Sequence, residues 1–388
     1  MKIKVNEQNF KYLILMFIPF LIFFAVDGIF SVHSLIPAAI LLFLIDILYG
    51  KVKKNNTMII VILLFIITTV ASLLINALSN NGLTTNQTYI RIIYYITILY
   101  MYFSLTRVNY SENQLNKIFI ANILCGILVS IYLIFINHIW FYSFLKIKID
   151  KNFVGAILAI QGEFAFIKFL KSEKKKTKLL SIFSYLFIFL GIFYTASRAS
   201  ILVYILDTLI TVFFSLKEKI NTKKGMIKLI VCVFIIPIIC LAIFNYLSIK
   251  MVNSNQTIQW YWNRYFVNGF GDESVTGRWT WWDNALELFK ERPIFGYGIG
   301  NVNVSGNTSA VAHNTYIDFL VDQGIIGFCG FLIILTRSFS GVLKKKKQIY
   351  YGIITILLLN IMILSATRST YMWYYLILIY CIGNQENS

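Results

Sequence analysis

Apolar runs long enough to cross a bilayer follow one another along this chain with only short polar joins. That succession restricts the fold more than any other feature. Inside hydrocarbon a backbone must satisfy its own N–H and C=O groups, so repeated runs of ~20 apolar residues become a bundle of helices. Twelve runs can be read, at approximately 12–28, 33–49, 57–77, 88–105, 118–138, 153–170, 179–196, 200–216, 227–247, 324–341, 350–366 and 370–383. The composition agrees: 58% of the 388 residues are hydrophobic and 13% are charged, against roughly 25% charged in a soluble domain. The basic start, Met1 to Lys11, lacks a small-residue cleavage site before the second run, so the first run reads as a retained helix. The expected fold is all-α, a polytopic integral membrane protein.

A formal net charge of +18 could point to nucleic acid, but the charges sit in the joins, where they fix orientation. With the N-terminus inside, the cytoplasmic joins hold 22 lysines and two arginines, and the outer side holds five lysines and six arginines. Both termini then face the cytoplasm. Lysine serves orientation as a solvated point charge, whereas the planar fork of arginine suits a bidentate grip on phosphate or carboxylate. The six outer arginines are Arg91, Arg198, Arg264, Arg278, Arg292 and Arg368. They oppose the positive-inside bias and therefore call for a compensating group. Arg292 and Arg264 fit simple snorkelling to headgroups. Arg91, inside its run, and Arg198, in a very tight turn between two runs, do not.

One long break interrupts the pattern, from about Tyr246 to Asp322. It divides the chain into nine N-terminal spans (1–247), a large outward-facing loop (248–323) and three C-terminal spans (324–388). Membrane proteins keep joins short unless the segment has work to do. Here Arg278, Trp282, Ala285 and Phe289 recur at helical spacing, with Asp283, Glu287, Lys290 and Glu291 on the other face. Thr276 is the expected N-cap and Pro293 the stop, which would put Arg278 in the first turn. A cation there opposes the helix dipole unless an anion joins it. Trp279, Trp281 and Trp282 suit a helix lying at the membrane surface. Next come Gly296, Gly298 and Gly300, a tight turn rather than a nucleotide site because no βαβ unit surrounds it. His313 and Asn314 then lead into the next helix, and an imidazole there could act as a general base. His33 and His138 read as interfacial helix ends.

The remaining candidates are weaker. Cys125, Cys232, Cys240, Cys329 and Cys381 all fall inside spans, without a CxxC, and read as packing residues. Asp318 and Asp322 stand one helical turn apart but offer too few oxygens for a metal. Glu163 and Asp207 lie well inside their spans and are functional suspects by position, or else pair with a buried base or with each other.

The ordered set Ser197-Arg198, Gly277-Arg278, Trp282, Ala285, Pro293, Gly296, Gly298, His313-Asn314-Thr315-Tyr316, Gly324 and Gly327 resembles the O-antigen polymerase and O-antigen ligase group of bacterial membrane glycosyltransferases. The motifs cover roughly 190–335, and the layout of many spans with one large outer loop matches throughout. The resemblance implies transfer of sugar chains carried on undecaprenyl diphosphate, with no metal, cofactor or nucleotide sugar. It implies that Arg198 and Arg278 hold the lipid-linked diphosphate and that His313 orients or deprotonates the acceptor hydroxyl. Arg91, Arg368 and Arg264, with Asn314, Tyr316 and Trp282, complete the expected substrate pocket. The implied setting is the bacterial cytoplasmic membrane, with a flippase and a chain-length regulator as partners and no nucleic acid.

Three readings follow: a capsular, exopolysaccharide or O-antigen polymerase first, a ligase to lipid A-core or protein second, and a non-enzymatic flippase third. A deletion strain separates them. Single repeat units would accumulate without a polymerase, long lipid-linked chains without a ligase, and cytoplasmic-leaflet lipid without a flippase.

Overall fold

The computed structural model describes residues 7–24, 30–49, 56–78, 86–136, 141–142, 148–217, 263, 273–299, 312–367 and 369–385. Its helices, in chain order, are α1 (Glu7–Phe24), α2 (Phe30–Tyr49), α3 (Asn56–Leu78), α4 (Asn86–Leu105), α5 (Glu112–Phe135), α6 (Lys151–Lys171), α7 (Lys175–Tyr194), α8 (Arg198–Lys217), α9 (Glu273–Glu291), α10 (Thr315–Lys344), α11 (Tyr351–Ile363) and α12 (Thr370–Gly383). Strands β1 (Phe141–Tyr142) and β2 (Lys148–Ile149) pair antiparallel just before α6. Among the described residues, six helices are long and apolar enough to cross a membrane, and four further apolar helices are shorter. The run expected at 227–247 lies outside the described residues.

Helix α6 is the axis of the site-bearing half. Every residue from Val154 to Ile167 is buried, and the helix packs against α5, α7, α8 and α11. Phe164 stacks on Phe119 of α5 with ring centroids 4.7 Å apart. A helix apolar on all sides belongs in the middle of a bundle, and α12, buried along nearly its whole length, is its counterpart beside α10. By contrast, Leu179, Leu180, Phe183, Leu186 and Leu190 of α7 are exposed, as expected of a face solvated by lipid.

Lys11, Glu163, Asp207, Asp318 and Asp322 are buried charged residues among those described. The Lys11 ammonium, fully enclosed, reaches Asp46 at 2.6 Å, Glu7 at 2.7 Å and the Ser104 carbonyl at 3.0 Å. It thereby joins α1, α2 and α4 with all three of its donors used, rather than acting as a solvated topology signal. Glu163 and Asp207 meet each other, and the Thr211 hydroxyl donates to Glu163 at 2.6 Å. Of the two arrangements expected for these acids, they adopt the pairing with each other.

Helix α10 is broken at Gly324, whose backbone (φ 64°, ψ −171°) only glycine adopts readily. The break frees the carbonyls of Val321 and Asp322, which the N–H groups of Tyr297 and Gly298 take up at 2.9 Å each. In return Ile325 N–H donates to the Pro293 carbonyl at 2.8 Å. The glycine turn after α9 is thus zipped onto the break. A Cβ on Gly324 would stand 2.2 Å from the Ile294 carbonyl oxygen. We therefore expect Gly324→Ala to cost at least ~1–3 kcal/mol and to lower the melting temperature of the purified protein in detergent. An unchanged melting temperature would contradict this role for the break.

Candidate functional site

The starts of α6, α8 and α10 and the second turn of α9 bring the chemistry together. Helix α7 ends at Tyr194, and α8 begins only four residues later. The tight turn is made possible by Ala196 at φ 55° and by Thr195, whose hydroxyl donates to the Ile192 carbonyl at 2.6 Å. Ser197 fixes this turn to the start of α6. Its hydroxyl donates to Asn152 Oδ1 at 2.9 Å and shares a hydrogen bond with Ser200 at 2.8 Å. Asn152 in turn donates its backbone N–H to Asp150, the N-cap of α6, at 2.7 Å. Arg198, half-buried, is the first residue of α8.

On the other side stands His313, in a turn with φ 51°. Asn314 follows it and caps α10, accepting from Tyr316 N–H at 3.0 Å and Ile317 N–H at 3.3 Å. Thr315 secures the position, donating to the Leu364 carbonyl at 2.6 Å and accepting from Ala366 N–H at 2.8 Å. The imidazole lies beside Trp281, ring centroids 5.2 Å apart, and Trp282 Nε1 donates to the Ala312 carbonyl at 2.7 Å. Trp282 also packs on an apolar cluster of Ala285, Leu288, Tyr297, Ala312, Ile317 and Val321, which seals α9 against α10. Asn76 of α3 anchors the lid from behind. Its amide donates to the Tyr297 carbonyl at 2.9 Å and accepts from Arg292, whose guanidinium covers the Tyr297 ring at 4.5 Å.

The charges at the centre interact. Burial lowers the Arg278 pKa first; Asp150 opposes the shift and Arg198 adds to it. An arginine remains cationic at neutral pH all the same. Burial also holds the His313 imidazole below its ordinary value, with Arg278 pushing the same way and Asp150 against. His313 Nδ1 is buried with no hydrogen-bond partner among the described residues. The site therefore combines two guanidinium groups, a neutral imidazole and one carboxylate under an aromatic lid. Among the described residues no three His, Cys, Asp or Glu side chains converge. The donors that do converge suit an anion with several oxygens.

Residues 183–332, from α7 to the middle of α10, match the family model described as O-Antigen ligase. Over that segment the chain is similar to the O-antigen ligase family. A curated relative is exopolysaccharide production protein ExoQ of Rhizobium meliloti (strain 1021), 30% identical over a stretch covering 20% of this chain and 22% of that protein. The aligned part is thus about a fifth of the relative's length.

Of the residues expected in the site, Arg278 acts electrostatically on His313 and Arg198 on Arg278. Trp282 bonds to the carbonyl of Ala312 beside His313, Asn314 follows it as the cap of α10, and the Tyr316 ring lies 6.1 Å from Phe331. The side chain of Arg91 and the whole of Arg264 and Arg368 lie outside the described residues, as do the expected N-cap contact of Thr276 and the side chains of His33 and His138. Three expectations are corrected by the structure. Helix α9 starts at Glu273, so Arg278 stands in the second turn, away from the free N–H groups of the first. Its conflict is with Arg198, not with the helix dipole. The tryptophans also divide: Trp279 is 63% exposed, whereas Trp281 and Trp282 turn to His313 and Ala312. Arg292, expected to snorkel, is bound to Asn76. Asp150 was not singled out in the sequence, where it reads only as an acid before a helix start.

The charge pattern sets how His313 titrates. Its pKa, read from the pH dependence of acylation by diethyl pyrocarbonate, should lie below 6.5. Arg278→Ala removes a repelling neighbour of the imidazolium and should raise it. A value above 6.5 in the wild type, or a fall in the variant, would contradict this arrangement.

Proposed function

We propose that the protein is a polysaccharide polymerase that transfers a growing glycan from undecaprenyl diphosphate to the sugar of another lipid-linked repeat unit. The observation that carries this reading is the meeting of Arg198 and Arg278 beside His313. In the reaction, an acceptor hydroxyl attacks the anomeric carbon, the bond from that carbon to the diphosphate oxygen breaks, and undecaprenyl diphosphate leaves. The difficulty is the negative charge gathering on the departing diphosphate. Two fixed guanidinium groups near low-dielectric lipid stabilise that charge without having to reorganise. A neutral His313 takes the acceptor's proton as the new C–O bond forms. Charge transfer to the leaving group needs no nucleotide sugar and, with two arginines present, no metal.

The distribution of lysine and arginine supports a site on the outer side of the bacterial cytoplasmic membrane with both termini inside. There it would receive lipid-linked units from a flippase and work beside a chain-length regulator. The family model's own description, O-Antigen ligase, favours a second reading, in which the finished glycan passes to lipid A-core or to a protein. Lipids extracted from a deletion strain decide between the two. Single repeat units are expected, and long lipid-linked chains would favour the ligase.

Replacing Arg198, Arg278 or His313 by Ala should abolish polymer while the protein inserts at normal levels. Wild-type polymer length from all three variants would overturn the assignment. Arg278→Lys keeps the charge but loses the bidentate fork, so it should restore little activity. Full activity in that variant would contradict a grip on diphosphate.

A further inference from the structure

Asp150 is a carboxylate placed among cations by a chain of fixed contacts. It caps α6, and one of its oxygens accepts the Asn152 N–H at 2.7 Å. Asn152 is held by Ser197, the residue before Arg198, at 2.9 Å. The start of α6 and the start of α8 are therefore locked together, and Asp150 cannot drift from the arginine turn. From the opposite side, Arg278 of α9 and His313 ahead of α10 come within its electrostatic reach. Arg278 and Asp150 both act on His313, and Arg198 acts on Arg278.

We propose that Asp150 is a positioning residue for the transfer reaction, the counter-charge that steadies the two arginines before substrate arrives and offsets the imidazolium as His313 takes the acceptor's proton. This rests on the polymerase reading above. Two consequences have opposite effects on binding and on turnover. Before binding, Asp150 lessens the repulsion between Arg198 and Arg278, but it also repels an incoming diphosphate. During the reaction, the proton arriving on His313 creates a cation beside Arg278, and Asp150 is the carboxylate that stabilises it. It does so through the field rather than through a hydrogen bond to Nδ1, because that atom has no partner among the described residues. Loss of the carboxylate should therefore tighten substrate binding and slow the chemistry.

Asp150→Asn tests this cleanly, because asparagine caps a helix as well as aspartate does. It removes the charge and keeps the cap. The assay uses the full chain in proteoliposomes, with lipid-linked repeat units extracted from a strain lacking the gene. The variant should show kcat lowered ~10-fold and KM lowered about threefold, in step with tighter binding of inorganic pyrophosphate. The acid limb of its kcat/KM profile should move to lower pH by about half a unit or more, since the imidazolium has lost its stabilising neighbour. Asp150→Glu, which restores the charge, should bring the acid limb back towards the wild type.

Asp150→Asn with wild-type kcat, KM and acid limb, while Asp150→Ala is impaired, would reduce Asp150 to a helix cap and overturn the proposal. A rise in KM would overturn it too. His313→Ala and Arg278→Ala, assayed in the same preparations, keep the two readings apart. If both retain wild-type turnover, the polymerase site itself is wrong. If both lose turnover and Asp150→Asn does not change, only the role of Asp150 falls.

Discussion

Two guanidinium groups held side by side at the edge of a membrane repel each other. Arg198 and Arg278 are brought into this relation by elements far apart in sequence, and each is partly withdrawn from water. The arrangement becomes favourable once a multivalent anion joins the two forks. Burial holds the His313 imidazole below its ordinary value, and Arg278 pushes the same way, which leaves it available to accept a proton.

The scaffold holds that placement with backbone as much as with side chains. The break at Gly324 supplies free carbonyls, the turn at Gly296 and Gly298 supplies the N–H groups that fill them, and Asn76 ties the turn to α3. Gly296 must be bare because a Cβ there would lie 2.6 Å from Gly324 N. These bonds fix the C-terminal end of α9, and Trp282 with its apolar cluster fixes the middle. On the far side, Ser197 and Asn152 bind α8 to α6. Small polar residues thus hold each charged group on a rigid element, which is how a site keeps its geometry without large buried ion pairs.

Much of this was legible in the sequence because lipid imposes simple rules. Apolar run length located the apolar helices among the described residues, and the near-contact of two runs around Ser197 exposed the tight turn. The arginines standing apart from the lysine-rich joins marked the cations that call for a partner. What could not be read has physical reasons. Glu273 to Thr276 offers several possible helix starts, and spacing alone placed the start at Thr276, so Arg278 was put one turn too early. Lys11 looked like any cytoplasmic lysine, since nothing local shows that Asp46 and Glu7 enclose it. Asp150 looked like an ordinary cap, because its second role depends on partners 128 and 163 residues away in the chain. Asn76, in an otherwise apolar helix, carried no signal of its contact with Tyr297.

The central claim is that Arg198 and Arg278 act as one anion-binding unit. It is tested most directly by a double-mutant cycle on the affinity of the purified protein for inorganic pyrophosphate, using Arg198→Ala, Arg278→Ala and the pair together. Each single change should weaken binding strongly, and the double variant should lose much less than the sum of the two free energies, because either loss already breaks the shared grip. Additive losses, or binding unchanged in either single variant, would show that the two arginines do not hold one ligand.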